Sequence, residues 1–252
     1  MSLEGLRLAI SDTGGQSGER EFPLMRDEVS WEKLEKRCLE LIDIISCDET
    51  ENMLIYFISA IKNVNQHAKE KRNLQKLLST VCKNVREKWN KSNHILTTNQ
   101  FETFCEATLY IHPLPQLPYL NNSWDHNIRQ IREQINKGCL DYNYMTIINE
   151  WVRFVYLINK YEPRFLLQVG FPDKYLDFII ELVNLIEIEI DHCDDYECED
   201  AIAEKLEEYE KLKNAINKLY NWTNNDFNIK NLVYKIEKKI YILEEYLEEI
   251  EE

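Results

Sequence analysis

The sequence predicts an all-α protein, a multi-helix antiparallel bundle with a long C-terminal helical hairpin, and three observations carry that expectation. Only 6 Gly and 6 Pro occur in 252 residues, too few turn formers for a many-stranded sandwich or barrel but sufficient for helices joined by short loops. Apolar residues recur at three-and-four spacing along most of the chain, the period of helices that bury one face. The last stretch repeats that spacing in two long runs separated by a polar turn at 221–226. At 44% hydrophobic and 30% charged residues, a chain of this length buries an ordinary core without covalent staples.

Three segments are expected: a flexible tail at 1–22, a helical bundle at 23–161 with a Pro-rich connection at 112–122, and a helical segment at 162–252 ending in the acidic hairpin. Gly14, Gly15 and Gly18 among polar neighbours mark the tail. Ser30 offers an N-cap, with Val29 before it stapling onto Leu34, and Trp31, Leu34, Cys38, Leu41 and Ile45 give the buried face of a helix running to about Ser46. The 48–50 stretch caps a second helix with Met53, Leu54, Phe57, Ile58, Ile61 and Val64 inward. A basic helix at about 69–90 follows, then a short one near 99–110 capped by Thr98.

Pro113, Pro115 and Pro118 forbid a helix at 112–122, which reads as an extended connection. Ser123 caps a helix ending at Gly138, Asp141 caps one ending near Tyr161, and Pro163 and Gly170 enclose a short piece. Pro172 suits the first turn of a helix carrying Tyr175, Phe178, Ile179, Leu182 and Ile186 inward. In the hairpin, Ile202, Leu206, Tyr209, Ile216 and Leu219 define one stripe, and Ile229, Leu232, Ile236, Ile240, Leu243, Leu247 and Ile250 the other.

Charge is segregated along the chain. Residues 173–252 hold 23 acids against nine lysines, a net of −14 out of −15, whereas 62–91 carries nine Lys/Arg with only Glu70 and Glu87. At 100° per residue, Leu74, Leu77, Leu78, Val81 and Val85 share one face of the basic helix, and Lys69, Arg72, Lys76, Lys83 and Arg86 form a stripe on the other. Trp89 lies at the edge of the apolar face and reads as core rather than as a platform for a base. On the hairpin, Glu204, Glu207, Glu208, Glu244, Glu245 and Glu248 form an acidic face. The acids of 244–252 sit where the helix dipole is already negative, so contact with something positive would stabilise that end.

No catalytic residue is expected. There is no Gly-rich phosphate loop, no G-x-S-x-G elbow and no H-E-x-x-H. Glu189 and His192 form an E-x-x-H pair, the spacing of di-iron bundles, but none of His67, His94, His112 or His126 has Glu three residues before it. Asp191, Asp194, Asp195, Glu197 and Asp200 lack the glycine turn and oxygen spacing of a calcium loop and read as an acidic connection. Metal ligands and cofactors are expected to be none. The seven cysteines are scattered and read as reduced core thiols.

The expected function follows from what remains: a non-catalytic intracellular helical interaction or scaffold protein, binding another protein through charge-complementary helix faces. Self-association through the same faces is one form of this, and it would be heterologous. The alternative is a nucleic-acid-associated accessory protein using the basic helix, with the acidic hairpin regulating access. No apolar run spans a bilayer and no secretory leader is evident, so a cytoplasmic location without a membrane partner is expected.

Overall fold

The computed structural model describes residues 28–64, 69–137, 144–171, 173–191, 199–222 and 227–251. Among these the regular structure is helical, with no strand. Among the described residues ten α-helices follow one another: α1 Glu28–Ile44, α2 Thr50–Asn63, α3 Lys69–Lys91, α4 Thr98–Thr108, α5 Asn121–Lys137, α6 Tyr144–Tyr161, α7 Pro163–Val169, α8 Leu176–Asp191, α9 Glu199–Trp222 and α10 Phe227–Glu251. A 3₁₀ turn, Asp173–Tyr175, precedes α8. The chain divides into two compact units, one up to Ser123 and the other from Trp124 onward.

In the first unit α1 packs on α3, α2 on α3 and α4, and α3 on α4. The apolar spacing of each helix explains this: Leu34, Cys38, Leu41 and Ile42 are buried from α1, Met53, Leu54, Phe57, Ile58 and Ile61 from α2, and Leu74, Leu77, Leu78, Val81 and Val85 from α3. Each such side chain contributes about 1.5–3 kcal/mol on leaving water. Trp89 is buried against Phe104, with ring centroids 5.6 Å apart, and its indole N–H donates to Cys47 O at 3.2 Å. That is the core position its angular place in α3 predicts.

In the second unit α9 and α10 form the long hairpin, joined to α8, while α6 packs on α9 and on α7. Tyr209, Leu212 and Ile216 from α9 meet Ile229, Leu232, Ile236, Ile240 and Leu243 from α10 as buried residues. At the start of α5, Trp124 anchors an aromatic cluster. Its indole N–H donates to Tyr175 Oη at 2.9 Å, and edge-to-face contacts reach Phe165, Phe171 and Tyr175 at centroid distances of 5.9, 6.0 and 5.4 Å. Such pairs contribute about 0.5–1.5 kcal/mol each beyond their burial.

Three caps differ from the sequence reading. The helix is already formed at Glu28, so Ser30 lies within it instead of capping it. The cap of α4 is Thr97, not Thr98: its hydroxyl accepts from Gln100 N at 3.1 Å and the Gln100 carboxamide accepts from Thr97 N at 3.0 Å. That reciprocal box needs Glu or Gln three residues after the cap, and only Thr97 has one. Ser123 does not cap α5, which starts at Asn121; its buried hydroxyl accepts the Leu96 N–H at 2.8 Å. A long-range partner takes the side chain that the local rule assigns to the helix end.

The tail at 1–22, the helix end at Gly138, Asp141, Pro172 and the 221–226 turn lie wholly or in part outside the described residues. So do Cys139, Cys193 and Cys198 and most of the acidic connection with His192.

Candidate interaction faces

The basic run of α3 separates into cations held by the fold and cations that face solvent. Lys62, at the end of α2, pairs with Glu106 at 2.6 Å, which raises its pKa. Lys88 donates to Ile42 O at 2.5 Å and to Ile45 O, covering carbonyls that the end of α1 leaves without helical donors. Arg86 is half-buried, donates to Gln116 Oε1 at 2.9 Å, and keeps its Nε buried without an acceptor. Lys69, Arg72, Lys76 and Lys83 are exposed and meet no acid among the described residues. Of the five stripe residues, then, four project outward and Arg86 is drawn into the connection that carries Gln116.

On the hairpin, Glu204, Glu207, Glu244, Glu245 and Glu248 are exposed and Glu208 is half-buried. Glu207 and Glu208 both pair with Lys211, at 2.8 and 2.9 Å, and those hydrogen bonds hold the lysine's pKa above its ordinary value. Beside the acids of α10 stand Tyr234, Tyr241 and Tyr246, each about half or more exposed. Tyr241 donates to Glu245 at 2.6 Å, which raises the phenol's pKa. The sequence reading passed over these tyrosines because they fall outside the Ile/Leu stripe; the seven-residue step from Tyr234 to Tyr241 is the signal that would have shown a second face.

A polar cluster in the first unit was also missed. The Gln100 carboxamide oxygen accepts from Thr97 N, so its amide nitrogen is the group that donates to Asp48 Oδ1 at 3.0 Å. His94 Nε2 lies 3.0 Å from the same Gln100 oxygen and must therefore donate, which fixes the proton on Nε2. Asp48 Oδ1 is 3.7 Å from that nitrogen. His94, Asn90, Asn93, Asn121 and Asn122 line a cavity of about 180 Å³, but the hydrogen bonds serve helix ends: Asn90 Oδ1 accepts from Tyr119 N, and Asn122 donates to Asn93 O. The contacts tie the start of α4 to Asp48 and His94, so the cluster reads as structural.

The four cysteines that the structure describes, Cys38, Cys47, Cys82 and Cys105, are free thiols. Burial pushes Cys38 and Cys82 up to about 12, against about 8.5 for an open thiol. They are inert core groups. No group of three or more His, Cys, Asp or Glu suited to a metal ion occurs among the described residues. Nor is any described helix long and apolar enough to cross a membrane.

The fold and its charged surfaces define the class as far as an all-helical protein with segregated electrostatic faces. No family model, curated protein or solved structure matches the chain.

Proposed function

We propose that the chain is a non-catalytic helical interaction protein that binds another protein through charge-complementary helix faces. One observation carries the reading: Lys69, Arg72, Lys76 and Lys83, exposed and paired with no acid among the described residues, lie along one side of α3. Steps of three, four and seven residues keep them in a row about 21 Å long. A row of fixed, uncompensated charge steers encounter and sets register against an acidic surface. The acidic and tyrosine-bearing face of α10 offers the opposite character, suited to a basic partner through carboxylate pairing and ring contact.

The test is fluorescence anisotropy with a labelled poly-glutamate peptide and, separately, a poly-uridine RNA of equal length, at about 50 mM and about 500 mM salt. Peptide binding that is salt-sensitive and weakened at least about tenfold when all four cations become Glu supports the reading. RNA binding that depends on the same four residues, without peptide binding, transfers the stripe to the nucleic-acid reading. Equal peptide binding by the variant removes the stripe as a binding face.

A further inference from the structure

The exposed cations of α3 and the exposed acids of α10 share one spacing. Taken backward along α3, Lys83, Lys76 and Arg72 follow one another at steps of seven and four residues. Taken forward along α10, Glu237, Glu244 and Glu248 follow at the same steps, and all six side chains are exposed. Each triplet keeps to one side of its helix and spans about 16 Å, given 1.5 Å and 100° per residue. With both helices read in the same direction the match fails, because no three acids of α10 stand at steps of four and then seven. The two rows therefore fit each other antiparallel, and in one register.

The α10 row is not used inside its own helical hairpin. Glu237, Glu244 and Glu248 pair with no cation among the described residues. Along the row stand the rings of Tyr234 and Tyr241, 68% and 58% exposed, on the side of α10 away from buried Leu232, Ile236 and Leu243. Such rings cover the aliphatic stem of a lysine and offer its ammonium a π face. The contrary charges nearby fall outside the pairs: Glu87 lies one turn beyond Lys83, and Lys238 lies across the tyrosines from the acids.

We propose that the protein partner is a second copy of the chain, with α3 of one molecule antiparallel on α10 of the next. Lys83 then faces Glu237, Lys76 faces Glu244 and Arg72 faces Glu248. The proposal rests on the reading of α3 and α10 as binding faces and names what they bind. The contact is heterologous, joining two different patches, so neither patch has to complement itself. Two copies at −15 repel as whole bodies, but 173–252 hold −14 of that charge. This contact sets the basic run of one molecule on the acidic part of another, where the attraction between unlike regions offsets the repulsion. Exposed ion pairs are individually weak and screened by salt, so association belongs to high protein concentration and low salt.

The experiment is sedimentation of the full chain from about 5 to about 500 µM at about 50 mM and about 500 mM salt, with circular dichroism as the fold control. The wild type is expected to associate as concentration rises and to dissociate in high salt. One variant reverses α3 (Arg72→Glu, Lys76→Glu, Lys83→Glu) and a second reverses α10 (Glu237→Lys, Glu244→Lys, Glu248→Lys). Each alone is expected to stay monomeric at wild-type helicity, since like charges then meet, whereas an equimolar mixture of the two is expected to associate. A wild type that remains monomeric overturns the proposal, as does either variant associating like the wild type, or a mixture that does not associate. Salt-sensitive poly-glutamate binding by a monomeric wild type removes the second copy while leaving the reading of α3 in place, so the two fail separately.

Discussion

The ammonium of Lys88, on α3, donates to the backbone oxygen of Ile45, just past the end of α1, and to Ile42 O one turn before it. A cation at a helix C-terminus meets both the unsatisfied carbonyls and the negative end of the dipole. Lys83, five residues earlier on the same helix, is exposed with no acidic partner among the described residues. Lys88→Met should therefore lower stability by about 1–3 kcal/mol in urea titration, and Lys83→Met should stay within about 0.5 kcal/mol of the wild type. Equal effects would mean that the carbonyl contacts do not hold α1.

The box at Thr97 and Gln100 predicts non-additivity. Thr97→Ala should cost about 1 kcal/mol, and Gln100→Ala more, because the same carboxamide also meets Asp48 and His94. The double variant should cost less than the sum of the two, since each single change already breaks the reciprocal pair. Denaturant midpoints of the four proteins measure the coupling.

Cys38 and Cys82 make stability depend on pH at the alkaline end. Both thiols titrate at about 12 in the fold, while unfolding returns them to about 8.5. Between those values the unfolded chain holds fewer protons than the folded one, so stability falls as pH rises, by up to about 1.4 kcal/mol per pH unit for each thiol. Below about pH 8.5 the contribution is flat. Chemical denaturation from pH 7.5 to pH 10.5 should show this slope, and Cys82→Ala should cut it by about half, leaving the part that Cys38 contributes. In the folded protein at neutral pH a thiol reagent should reach half-buried Cys47 before Cys38, Cys82 or Cys105.

Gly170 ends α7 in the left-handed region, at φ 78°. A Cβ there would come within 2.6 Å of the Lys174 side chain. Gly170→Ala should destabilise by about 1 kcal/mol or more through backbone strain. Lys174→Ala in the same background should relieve only the steric part, leaving a residual deficit in thermal unfolding.

The helices and their inward faces were legible because apolar period is a local property: all of Met53, Leu54, Phe57, Ile58, Ile61 and Val64 are buried as their spacing requires. The helix ends were less so. Thr97 and Thr98 are adjacent and chemically alike, and only the position of Gln100 separates them. Ser123 follows the capping preference in type but is engaged by Leu96 N, a partner 27 residues away that no window around it contains. The same holds for the charged faces. That Lys62 is paired follows from Glu106, 44 residues on, whereas Lys76, similar in its local surroundings, faces water. Which cations are engaged is a tertiary property, and so is the pairing of buried Glu187 with Lys235, 48 residues on.

The distribution of indoles has an optical consequence. Trp89 is enclosed in the first unit beside Phe104, and Trp124 and Trp151 in the second among Phe171, Tyr175 and Phe178. Trp124 gives its N–H to a phenol, while the Trp151 N–H is buried with no acceptor. Emission from Trp151 should thus be the bluest of the three and should redden most when its surroundings admit water. Chains retaining one indole apiece would report the melting of each unit by colour alone.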